Sequence, residues 1–112
     1  MKIQLNDNSA ELIARRFRAL AEPTRLRILN HLRHHEDSSV GELAEALETS
    51  QQNVSKHLAA LIAEGFVARR KQGTSSLHRI ADPSVVDLCN AVCVGIEAQL
   101  EQVGAMLTAP SR

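Results

Sequence analysis

Hydrophobic residues along the 112-residue chain recur at two periods, one helical and one strand-like. Leu12, Ile13, Phe17 and Leu20 are spaced by threes and fours, which predicts a helix from a Ser9 cap to about Leu20. Pro23 suits the first turn of a second helix, where its missing N–H would have no partner. Leu26, Ile28, Leu29 and Leu32 give that helix a buried stripe ending near His34. Ser38 or Ser39 opens a short third helix with Val40, Leu43, Ala44 and Leu47 on one face. Thr49 or Ser50 caps a fourth, in which Val54, Leu58, Leu61 and Ile62 point inward and Gln52, Ser55, Lys56 and Ala59 outward, until Gly65 stops it. The period then shortens. Two runs, 66–72 and 75–80, flank Gly73 and predict a β-hairpin. After Asp82 and Pro83 a last helix extends to about Leu107, with Val85, Cys89, Val92, Ile96, Val103 and Met106 alternating by threes and fours apart from polar Gln99, a seam that calls for a partner helix. The predicted fold is mainly α with a small β-hairpin, in the order α-α-α-α-β-β-α. Residues 1–112 are expected to form one domain whose last few residues fray.

Composition narrows what such a chain can do. Phe17 and Phe66 are its only aromatic residues, so the core must be built from Leu, Ile, Val and Ala. The stacking platforms used on single-stranded or RNA ligands are therefore missing. Net charge is zero, but its distribution is uneven. From Ser50 to Ile80 five bases (Lys56, Arg69, Arg70, Lys71 and Arg79) stand against Glu64 alone, a net +4. From Glu36 to Glu48 five acids have no base among them. No run of about 20 apolar residues suits a bilayer, and the N-terminus lacks a secretory signal, so no membrane partner is expected and the chain is read as cytoplasmic. Cys89 and Cys93 are then expected to be thiols.

A short helix, a tight polar turn and a second helix with small or amide side chains at its start describe a helix-turn-helix reader of duplex DNA, here 50–63. Gln and Asn can donate and accept at once along an adenine edge, while Ser and Lys reach phosphate or guanine. Ser50, Gln51, Gln52, Asn53, Ser55 and Lys56 form the expected contact set, with His57 as a backbone or groove contact. The bland alternative, a solvated helix face, explains each residue singly but not the short helix before it and the basic hairpin after it. On the hairpin, Arg69, Arg70 and Lys71 on one arm, Thr74 and Ser75 at the tip, and Arg79 on the return arm are expected to meet phosphates or the minor groove. Alternatively, these charges only keep an edge strand from aggregating.

The phrases FRALAEPTRLRILNHL (17–32), VGELAEALETSQQNVSKHLAALIAEGFV (40–67) and ARRKQGTSSLHRIAD (68–82) resemble the ArsR/SmtB family of metal- and redox-sensing repressors, in the family's order and spacing. The resemblance implies a winged helix-turn-helix, a homodimer formed through the first and last helices (9–20 and 83–107), and repression relieved by an inducer; two readers placed in successive major grooves by such a dimer are expected to bind an inverted-repeat operator. Two inducer sites of the family are missing. The Cys-x-Cys pair at the start of the third helix is replaced by Ser39 and Gly41, and the last helix has no histidine for the zinc-sensor pattern.

Cys89 and Cys93 remain. At i and i+4 they share a helix face about 6 Å apart at Cβ, within reach of one soft ion such as As(III). Two thiols do not complete the three sulfurs arsenic prefers or the four ligands of structural zinc unless a dimer mate adds its pair. Simple packing is the alternative, since free cysteine behaves as a small hydrophobe. His31, His34 and His35 end the second helix, with Glu36 and Asp37 following; they could be assembled into a metal site, but the macrodipole there favours protonated imidazole without any ligand. His78 has no assigned role. No phosphate cradle, enclosed acid pair or Ser-His or Cys-His spacing supports catalysis. A regulator without an inducer, a winged-helix protein-interaction module and a thiol-metal buffer are the competing readings.

Overall fold

The computed structural model describes residues 4–108, and the expected fraying of the last few residues falls largely outside them. Element order is α1 (Asp7–Leu20), α2 (Pro23–His34), α3 (Val40–Leu47), α4 (Gln51–Ala63), β1 (Val67–Gln72), β2 (Ser75–Ile80) and α5 (Ser84–Thr108). The chain divides into two compact units at Asp82 and Pro83, so α5 stands by itself as the second.

In the first unit each helix begins where a side chain can satisfy its orphan N–H groups. Asn6 caps α1 and forms a capping box with Ser9, so Ser9 is the third helical residue rather than the cap. Glu22 caps α2 ahead of Pro23, its carboxylate accepting from the Arg25 N–H at 3.0 Å. Of the two serines before α3, Ser39 is the cap, reciprocated by Glu42. Ser38 is used differently: it is buried and pairs with His78 through backbone bonds in both directions, at 3.0 and 2.8 Å. The α2–α3 loop thus docks on β2 like a one-residue third strand.

The core joins Ala19 and Leu20 of α1, Ile28, Leu29 and Leu32 of α2, Leu43, Ala44 and Leu47 of α3, Val54, Leu58 and Leu61 of α4, and Phe66 and Val67. Burying one such Leu or Ile side chain is worth about 1.5–3 kcal/mol. Several expected core positions differ. Leu26 is exposed on α2, and Leu12 and Phe17 are exposed on α1. Ile62 is half-buried, and the inward place on α4 goes to His57. Periodicity places a residue on a face but cannot say which sector of that face another element covers.

The hairpin pairs Val67 with Ile80 through Gln72 with Ser75, leaving Gly73 and Thr74 as a two-residue turn. Gly73 adopts φ 63°, the left-handed conformation such turns demand. Phe66, just before β1, carries the Arg16 guanidinium 4.5 Å above its ring, and Arg16 also pairs with Asp82 at 3.0 Å.

The second unit is one 25-residue helix. Val92, Val94, Ile96, Leu100, Val103, Met106 and Leu107 are all exposed on it. Among the described residues no helix is long and apolar enough to cross a membrane.

Candidate nucleic-acid interface

The junction of α3 and α4 sets the aim of the second helix. Glu48 ends α3 in the left-handed region at φ 54°, and the Thr49 N–H returns to the Ala44 carbonyl at 3.0 Å, closing the turn without a glycine. Ser50 then caps α4 by accepting from the Asn53 N–H at 3.0 Å, while the Asn53 amide donates to Thr49 Oγ1 at 3.1 Å. Two residues of the expected contact set therefore shape the turn. Gln51, Gln52, Ser55 and Lys56 are exposed along the first two turns of α4.

His57 does not belong with them. Its side chain is 6% exposed and points into the protein, where Nδ1 accepts from Arg25 Nε at 3.1 Å and lies 3.6 Å from Glu22 Oε2. Arg25 also donates to the Ala19 carbonyl at 3.2 Å. Arg25 thus braces the end of α1, the start of α2 and the middle of α4 against one another. Partial burial pulls the Glu22 carboxyl upward, but the Arg25 N–H, His57, the Thr24 N–H and the Arg25 charge together leave it below the usual range. The expectation of a groove contact at His57 is corrected. Apolar spacing gave no warning, because a histidine between Lys56 and Leu58 lies at the border of the buried face.

The wing residues separate by face. Paired residues share a face, so Arg69 and Lys71 lie with His78 and Ser76, while Arg70 lies on the other side with Leu77 and near Arg79. Thr74, Ser75 and the four basic residues are all exposed. Arg70 is engaged from both ends: Nη2 meets Asp37 Oδ2 at 3.2 Å and Nη1 donates to Gln72 Oε1 at 3.1 Å. His78, given no role by the sequence, is 3% exposed, with Nδ1 3.1 Å from the Ser38 carbonyl. Burial lowers its pKa, the Ser38 carbonyl opposes this, and the Arg69 charge adds to the lowering. It fastens the wing to the loop ahead of α3.

Cys89 is half-buried and Cys93 exposed on α5, and no disulfide joins them. Among the described residues no group of three or more His, Cys, Asp or Glu is arranged to hold a metal ion. The two sulfurs of one chain leave the three-sulfur shell of arsenic and the four-ligand shell of zinc incomplete. His31 and His35 stack at 4.5 Å between centroids, and burial, then His35, lowers the His31 pKa.

Four helices followed by an antiparallel hairpin, with the capped α4 ahead of a hairpin whose strands carry four basic residues, define a winged helix-turn-helix. The family described as "Helix-turn-helix domain" matches residues 20–70. The probable mercury resistance operon repressor of Streptomyces lividans is 43% identical over 75 residues, covering 67% of this chain and 59% of that protein's length. The crystal structure of Rv0081 from Mycobacterium tuberculosis superposes with a TM-score of 0.74 at 33% identity, covering 89% of this chain and 99% of the other. The homodimeric winged helix-turn-helix DNA-binding domain of Mb0332 from Mycobacterium bovis, described as a possible ArsR-family transcriptional regulator, gives 0.75 at 34% identity over 91% and 95%. The chain belongs to the ArsR/SmtB family of transcriptional regulators.

Proposed function

We propose that this regulator is a repressor that binds an inverted-repeat operator as a homodimer, with α4 in the major groove and the wing on the adjacent backbone. The observation that carries the reading is the run of exposed Gln51, Gln52, Ser55 and Lys56 on a capped helix next to exposed Arg69, Arg70, Lys71 and Arg79. Ser50 and Asn53 hold the helix start, while Thr74 and Ser75 form the wing tip. Dimerisation through 9–20 and 83–107 is supported by the exposed Leu12 and Phe17 on α1 and the apolar seam of α5, and by the homodimeric state of the Mb0332 domain. The whole of 1–112 then acts as one DNA-binding domain.

The trigger assigned to this repressor is a thiophilic metal(loid) or an oxidant at Cys89 and Cys93. The similarity to a mercury resistance repressor supports it; two thiolates can hold a mercuric ion, while arsenic's third sulfur or zinc's remaining ligands would come from the dimer mate.

Selection from random duplex DNA is expected to enrich a palindrome with half-sites about one helical turn apart. Failure to enrich any sequence at moderate salt overturns the reading and favours a protein-interaction module. Operator release by mercuric ion, arsenite or peroxide is expected for the parent and lost in Cys89→Ser and Cys93→Ser. Equal release from all three removes the thiol trigger.

A further inference from the structure

Asp37 sits in the α2–α3 loop with φ 60°, in the left-handed region that glycine enters freely and aspartate or asparagine only at some cost. One carboxylate oxygen, Oδ2, lies 3.2 Å from Arg70 Nη2 on the wing. The other, Oδ1, is buried without a hydrogen-bond partner. A strained backbone and a desolvated acceptor are both tolerated here for one half-exposed ion pair, an interaction that adds little to stability. Glycine at 37 would relieve the strain and remove the orphan oxygen, so stability does not account for the acid. Its placement does have a consequence for Arg70. With the Gln72 amide on Nη1 and Asp37 on Nη2, the guanidinium fork is held by two acceptors from the protein, as a phosphate would hold it.

We propose that Asp37 is an internal competitor for phosphate: it occupies Arg70 in the free protein and weakens the grip of the wing on duplex DNA. This rests on the reading that the wing contacts DNA. A phosphate competes with Asp37 for Arg70 Nη2, and a carboxylate left beside it then faces a polyanion. Removing the carboxylate eliminates both costs and raises the local charge by one. Since the contact is electrostatic, the gain shrinks as salt rises.

The test uses the 112-residue chain, the selected operator and a random-sequence duplex, with affinity measured across a salt series. Asp37→Gly suits the backbone, and Asp37→Asn keeps the shape of the side chain and tolerates the left-handed conformation, so both are expected to fold with unchanged or raised Tm. Both are expected to bind either duplex about two- to fivefold more tightly at low salt, the size of one half-exposed ion pair. Arg70→Ala is expected to cost more affinity in the Asp37→Asn background than in the parent. If the parent binds its operator and the variants bind equally or more weakly, or if Arg70→Ala costs the same in both backgrounds, Asp37 is only a latch for the wing and the proposal falls while the repressor reading stands. If the parent binds neither duplex, both readings fall.

Discussion

Replacing His57 by alanine separates a residue that holds the reader in place from one that touches DNA. The imidazole is almost fully enclosed, and its Nδ1 is the acceptor for Arg25 Nε at 3.1 Å. Truncation strips that N–H of its partner and leaves a space where the ring was, while Arg25 keeps only its bond to the Ala19 carbonyl and its backbone anchor to Glu22. An unsatisfied buried group costs about 1–3 kcal/mol, and the cavity raises the sum to about 2–4 kcal/mol. For a chain of this length that corresponds to a fall in Tm of roughly 8–16 °C. Thermal unfolding followed by circular dichroism gives the readout, at one fixed protein concentration because association makes Tm concentration-dependent. His57→Gln, whose amide oxygen can accept from Arg25, is expected to recover part of the loss. A Tm within about 2 °C of the parent, together with weaker operator binding traceable to one base pair, would refute the brace and restore His57 to the groove.

Three further outcomes are expected from other parts of the fold. His78 is held below the ordinary imidazole value of 6.5, chiefly by burial, so the fold favours its neutral form. Stability is then full above about pH 6.5 and is lost as pH falls through that value, because the unfolded chain takes up the proton first; His78→Asn should flatten part of the decline in Tm between about pH 7.5 and 5.5, and an unchanged profile contradicts the assignment. Gly65 ends α4 at φ 78°, and a methyl group added there would meet nothing within 4 Å, so Gly65→Ala should cost about 1–2 kcal/mol in denaturant midpoint from backbone strain alone. Ile96 is 49% exposed on the α5 seam, and Ile96→Glu should shift sedimentation equilibrium toward monomer; an unaltered dimer would place the interface elsewhere.

Element types were legible in the chain because apolar spacing and capping chemistry are local. Pro23 at the first turn of α2, Gly73 in the hairpin turn, Leu43, Ala44 and Leu47 of α3 and Val54, Leu58 and Leu61 of α4 all lie where period and turn residues place them. The exposure of Gln51, Gln52, Ser55 and Lys56 was legible for the same reason, since they lie away from Val54 and Leu58. Local chemistry failed where one residue had two possible uses. Ser38 and Ser39 are equally good caps in isolation, and only the approach of His78 assigns Ser38 to the sheet. Glu48 adopts a left-handed turn that glycine or asparagine would have signalled and glutamate does not.

The chain by itself therefore determined the order of elements, their faces and the basic character of the stretch from Lys56 to Arg79. Tertiary structure decided which polar side chains remain available. His57 and His78 turned inward because Arg25 and the Ser38 carbonyl supply partners from distant positions, and Arg70 was claimed by Asp37 across the wing. A hydrogen-bond partner 32, 40 or 33 residues away leaves no trace in local periodicity, so the division between residues that build the reader and residues free to meet DNA exists only in the folded chain.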